Sequence, residues 1–188
     1  MTSKTHAALN IGAVTGALDA PSTPRSAQGE VLFFFDACGP SLFRYVRSLG
    51  VETGASQDIV QEVFLALFHH VRMDRPRDNL KGWLFKVAHN LALKHRRKLK
   101  RRADDCSADF ELAALAVDPS LDPEQQLAEE QRLAKLRAVV RALPERDRQC
   151  LTLRAEGLRY REIADVLGIS LGSVAKSVTR SLARLANV

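Results

Sequence analysis

The sequence predicts an all-α protein of two small helical domains joined by an acidic linker, and three observations carry that prediction. Apolar residues recur every three or four positions in several segments, the period of a helix that buries one face. Glycine and capping residues punctuate those segments where helices must stop and start. The sign of the charge reverses in mid-chain. Between Arg75 and Arg102 eleven Lys or Arg face a single acid, Asp78, whereas Ala103 to Gln131 holds nine acids and no base.

Residues 1–29 read as a disordered tail. Ala7 to Ala20 is mildly apolar after Lys4, but Asn10, Gly12, Thr15 and Gly16 dilute it below what a secretory signal needs, and Ala20 to Gly29 is rich in Pro, Ser and Ala. Residues 30–102 read as the first domain. A helix starting at Ser56 or Asp58 and running to about Arg72 buries Val60, Val63, Phe64, Leu67 and Val71. At 100° per residue its opposite face collects Asp58, Gln61, Glu62 and Leu65, an apolar anchor ringed by acid and amide groups. Such a patch gives a protein partner both affinity and orientation, although a solvated face with one stray leucine has the same pattern.

The next helix, from about Leu80, buries Leu80, Trp83, Leu84, Val87 and Leu91 and then turns basic at Lys94-His95-Arg96-Arg97. Asn90, Lys94, Arg96 and Arg97 can follow a nucleic-acid backbone, with the Asn90 amide available to a base edge. Trp83 and Phe85 are the candidates for stacking on unpaired bases; core spacing assigns Trp83 to the interior, and Phe85 lies off the stripe. Residues 103–126 form the linker, extended and solvated around Asp118-Pro119 and Asp122-Pro123. It is either a plain tether or an acidic strand suited to a basic channel in a partner.

Residues 127–188 form the second domain. Leu143-Pro144 opens a helix that Glu156-Gly157 stops, and a short helix with Ile163, Ala164 and Leu167 on one face follows. Gly168 permits a turn, and Ser170 caps a last helix whose Val174, Val178, Leu182 and Leu185 face inward. Ser173, Ala175, Lys176, Ser177, Thr179 and Arg180 are left outside. The order is that of a helix-turn-helix, and a small, hydroxyl-rich, basic outer face suits a DNA major groove. The net charge of +6 agrees with a polyanionic partner.

Other classes find little support. Cys38, Cys106 and Cys150 show neither disulfide nor zinc spacing and fit reduced thiols in cytoplasm. His69, His70, His89 and His95 lack a metal-binding pattern and are expected to face solvent. No metal, cofactor or catalytic residue is expected, and no apolar run approaches the ~20 residues of a membrane span, so stable membrane insertion is not expected.

The segments Asp58-Ile59-Val60-Gln61-Glu62-Val63-Phe64-Leu65 and Gly82-Trp83-Leu84-Phe85-Lys86-Val87-Ala88-His89-Asn90, followed by Leu143 to Leu185, resemble in this order a bacterial sigma factor of the extracytoplasmic-function group. The likeness covers about Glu30 to Arg102 and Leu127 to Leu185. It implies a region 2 domain and a region 4 domain in a promoter-specificity subunit that binds core RNA polymerase and promoter DNA. It assigns Asp58, Gln61, Glu62 and Leu65 to core polymerase binding. It places Asn90, Lys94, Arg96 and Arg97 at the minus-10 element and its melting, and Ser173, Lys176, Ser177, Thr179 and Arg180 at the minus-35 element. It also implies control by an anti-sigma factor. Ala175 and Ser177 stand where recognition helices of the group often carry basic residues. One helix-turn-helix buries only ~600–1,000 Å² on DNA, which is thin for autonomous specificity. Two weak modules held on one large enzyme gain effective concentration. A stand-alone helix-turn-helix regulator is the alternative, with the Asp58 patch dispensable; a nucleic-acid-modifying enzyme would need a catalytic cluster that is not evident.

Overall fold

The computed structural model describes residues 26–101 and 122–187, and every regular element among them is an α-helix. The elements are α1 (Ala27–Ser48), α2 (Thr53–Arg72), α3 (Leu80–Lys100), α4 (Pro123–Arg141), α5 (Glu145–Ala155), α6 (Tyr160–Leu167) and α7 (Leu171–Leu185). Most of the expected tail and of the expected linker lies outside the described residues.

Two boundaries move. Ser26 accepts a hydrogen bond from the Gly29 amide at 3.1 Å and caps α1, so Ala27 to Gly29 belong to a helix rather than to the tail. Pro123 occupies the first turn of α4, where its missing N–H costs nothing, so residues 123–126 are helical rather than linker. Neither α1 nor α4 announces itself by a clean stripe. Val31 to Phe35 is five consecutive apolar residues, which conceals a helical period.

In α2 the expected stripe, Val60, Val63, Phe64, Leu67 and Val71, is buried. The helix starts at Thr53, before either expected residue, because the Ser56 hydroxyl donates back to the Glu52 carbonyl at 2.8 Å instead of capping. α3 is capped by Asn79, whose side chain accepts from the Gly82 amide at 3.2 Å. A Cβ at Gly82 would lie 2.5 Å from the Asn79 amide nitrogen, which explains the glycine at this position.

The buried face of α3 is turned from the expected one. Phe85 is fully buried against Tyr45, with ring centroids 5.5 Å apart, and Ala88, His89 and Ala92 are buried beside it. Trp83 is half-buried, its ring 4.7 Å from that of His70. The reason is that α3 packs on α1 and α2 and also on α6, so it buries a wider arc than a helix with neighbours on one side only.

α5, α6 and α7 form the expected helix-turn-helix arrangement. Gly157 and Gly168 take left-handed φ values of 85° and 64° at the two helix ends, and Ser170 accepts from the Ser173 amide at 3.2 Å to start α7. The apolar core runs without interruption from Phe34, Leu42 and Phe85 through Cys150, Leu153, Leu158 and Ile163 to Val174 and Val178. The two halves are therefore packed together.

Candidate functional site

Three surfaces gather the residues singled out from the sequence. On α2, Asp58, Gln61, Glu62 and Leu65 all point to solvent, Leu65 being 62 % exposed. Helical spacing makes them neighbours, with 58 and 62, and 61 and 65, one turn apart. Sequence reasoning missed Leu32 and Phe35 of α1, both exposed, with the Phe35 ring edge-on to Phe64 of α2 at 5.0 Å. The signal was present, since five consecutive apolar residues cannot all lie on one buried stripe.

At the basic end of α3, Lys94, Arg97, Lys98 and Arg101 line one groove, and Asn90 is exposed a turn earlier. Arg96 differs. Its Nη1 donates to Glu145 Oε1 of α5 at 2.8 Å, and this hydrogen bond from Arg96 holds the Glu145 carboxyl below its ordinary pKa. Beneath the pair His89 is buried, not solvent-facing, and shares a 2.8 Å hydrogen bond between Nδ1 and the Tyr45 hydroxyl. Burial pushes the His89 pKa down, opposed by nearby Glu145 and assisted by Arg96. Phe85, being in the core, is unavailable for base stacking.

Two further contacts join the halves. Arg44 of α1 forks onto Glu156 with distances of 3.0 and 2.7 Å, and Lys81 Nζ donates to the Glu156 carbonyl at 2.9 Å. The hydrogen bonds to Glu156, and its charge, raise the Arg44 pKa against the opposing effect of burial.

On α7, Lys176, Thr179 and Arg180 are exposed and Ser173 is half-buried at the start of the helix. Ser177 does not face outward as expected. It is 3 % exposed, because it shares with Val174, Val178 and Ser181 the buried face of α7, which packs on α4, α5 and α6, while Leu182 is left 43 % exposed. Arg180 forks onto Asp147 of α5, Nε to Oδ2 at 2.8 Å and Nη2 to Oδ1 at 2.7 Å. These bonds, aided by the Ser177 side chain, hold the Asp147 carboxyl below its ordinary pKa despite burial. Nothing in the sequence marked Asp147, since a lone acid in a first helical turn ordinarily reads as a solvated complement to the helix dipole.

This arrangement of helices can be set beside known proteins. Residues 34–102 match the family Sigma-70 region 2, and residues 133–185 match Sigma-70, region 4. The RNA polymerase sigma factor NccH of Alcaligenes xylosoxydans xylosoxydans is 32 % identical over 167 residues, covering 86 % of this chain and 89 % of that protein. The chain belongs to the extracytoplasmic-function sigma factors. A second sigma factor of the group, EcfG of Rhodopseudomonas palustris, is 28 % identical over 150 residues, or 79 % of each chain. The sigma factor RpoE of Bartonella quintana, solved with the anti-sigma factor NepR, shares the fold with a TM-score of 0.60 at 22 % identity, covering 85 % of this chain and 94 % of that one. As a sigma factor the chain is a subunit that directs transcription initiation. Among the described residues no helix is long and apolar enough to cross a membrane, and no group of three or more His, Cys, Asp or Glu is placed to hold a metal ion.

Proposed function

We propose that this sigma factor docks on core RNA polymerase through Asp58, Gln61, Glu62 and Leu65, engages the minus-10 element through Asn90, Lys94, Arg96 and Arg97, and reads the minus-35 element through Ser173, Lys176, Thr179 and Arg180. It acts in the cytoplasm under the control of an anti-sigma factor. The observation that carries the reading is the placement of the three residue sets on three separate solvent-facing helix surfaces, each held by a buried stripe behind it. Ser177 drops out of the base-reading set and supports the helix from behind. Control by an anti-sigma factor is supported by the fold shared with a sigma factor solved in complex with one.

The two promoter elements are named for positions ~25 base pairs apart, about 85 Å along the duplex at 3.4 Å per step. A chain of this size folds to roughly 40 Å across. Reading both at once requires the halves to part, with Arg96 exchanging Glu145 for nucleic acid. Roughly twenty residues of chain can span at most about 70 Å, enough to keep parted halves connected.

The test is run-off transcription on fragmented genomic DNA with purified core polymerase, with and without the protein. Discrete starts that need the protein are expected, and Gln61→Ala with Glu62→Ala should weaken core binding about tenfold or more without lowering the unfolding midpoint. Unchanged core affinity would remove the docking assignment.

A further inference from the structure

We infer that Asp147 is a positioning residue for promoter recognition: it fixes the Arg180 guanidinium on the outer face of α7 and thereby sets how that arginine meets DNA. The inference rests on the reading of α7 as the promoter-facing helix. An arginine on a helix surface ordinarily samples many rotamers, and ordering them on binding weakens the complex. Here the ordering is done in advance. Asp147 is 1 % exposed while the Arg180 side chain is 55 % exposed, so the acid is anchored in the fold and the cation is displayed.

The anchor is itself braced. Asp147 lies in the first turn of α5, where the helix dipole favours a carboxylate, and the Ser177 side chain of α7 also favours its charged form. Ser177 can do so only because it faces inward.

The fork also decides which part of Arg180 remains for DNA. Of the five guanidinium N–H groups, the fork consumes one on Nε and one on Nη2. The Nε edge is closed, and both hydrogens of Nη1 with the second of Nη2 remain at the far end. Arg180 therefore approaches a base edge or phosphate end-on, with its reach fixed. Its charge is neutralised by Asp147, so it adds geometry to recognition and little non-specific attraction. Ser173, Lys176 and Arg180, at spacings of three and four, lie along one line of the helix, and Lys176 supplies the mobile charge beside the fixed fork.

The experiment uses holoenzyme assembled from the full chain and core polymerase, on a promoter identified by run-off transcription and on the same promoter with its upstream element replaced. The ratio of the two affinities is the discrimination. Asp147→Asn, nearly isosteric, should lower discrimination about tenfold. It should also steepen the salt dependence of binding to the replaced promoter by about one logarithmic unit, as a released Arg180 takes a phosphate. In an Arg180→Gln background, which keeps a donor for Asp147, Asp147→Asn should cost nothing further. Should Asp147→Asn fail to fold, Asp147→Glu keeps the charge but pushes the guanidinium outward by one methylene, and should lower discrimination without changing the salt slope.

Unchanged discrimination in Asp147→Asn, or an equal loss in the Arg180→Gln background, would overturn the positioning role. Wild-type discrimination in both Lys176→Ala and Arg180→Gln would instead overturn the assignment of α7 to the upstream element, and the inference with it.

Discussion

Each half of the molecule carries one of the arginines proposed to meet DNA, and α5 holds both with carboxylates in opposite ways. Arg180 is forked by Asp147, a carboxylate buried at 1 % exposure within the same half. Arg96 makes one 2.8 Å contact with Glu145 across the two halves, and both partners are partly exposed, at 34 and 55 %. An exposed ion pair contributes about 0.2–1 kcal/mol and weakens with salt, so nucleic acid can take Arg96 from Glu145. A buried carboxylate cannot give up its partner so easily. In the proposed reading the first pair stays part of the promoter-facing surface, and the second is a contact that ends when the halves separate.

The largest expected effect comes from the core that the halves share. Phe85→Ala empties the space against Tyr45 and should destabilise the chain by about 3–5 kcal/mol, measured by denaturant unfolding. Trp83→Ala, at a half-exposed position, should cost distinctly less. Equal losses would mean that the buried face of α3 is the one expected from spacing alone.

Next comes the asymmetry of the fork. Arg180→Ala strips the buried Asp147 carboxylate of its two-bond partner, leaving the Ser177 side chain and the Arg184 charge to favour it, whereas Asp147→Ala releases Arg180 into water. Arg180→Ala should therefore lower the thermal midpoint more than Asp147→Ala does. The reverse order would show that Asp147 is less buried than described. The acid limb carries the same sign. A carboxyl depressed by its partner stabilises the fold above the unfolded carboxylate pKa, and that contribution is lost as pH falls through the depressed value. Asp147→Asn should flatten this part of the stability profile below about pH 4.

The comparison also shows what a sequence can and cannot reveal. α2 was legible from its buried stripe, and α5, α6 and α7 because Gly157, Gly168 and Ser170 carry backbone requirements that few other residues meet. The Asp58, Gln61, Glu62 and Leu65 face followed directly from the period. α3 was misread because helical spacing does not report how many neighbours a helix has, and the α6 contact comes from the other half of the chain. Ser177 was misread for a related reason: polarity puts a serine outside, yet α7 packs on three helices and buries Ser177 and Ser181 among them. Glu145, Asp147 and Glu156 gain their roles from partners 49, 33 and 112 residues away, separations that no local pattern encodes.

The smallest effect gives the most direct view of the contact between halves. His89 belongs to the first half and Glu145 to the second, and the Glu145 charge partly offsets the lowering of the His89 pKa by burial. Glu145→Gln removes that offset, so the His89 pKa measured by NMR should fall further. It should fall only while the halves are together, because a charge moved a Debye length away, about 8 Å at physiological salt, is largely screened. The sign carries into stability. Because His89 is depressed below the 6.5 of an unfolded chain, its contribution is complete above that pH and is lost as pH falls toward the folded value; Glu145→Gln shifts the end of the loss to lower pH. Binding to core polymerase should abolish the difference between wild type and Glu145→Gln at His89. If the difference persists in the holoenzyme, Arg96 is still held by Glu145 there, and the proposed transfer of this arginine from α5 to the minus-10 element is wrong.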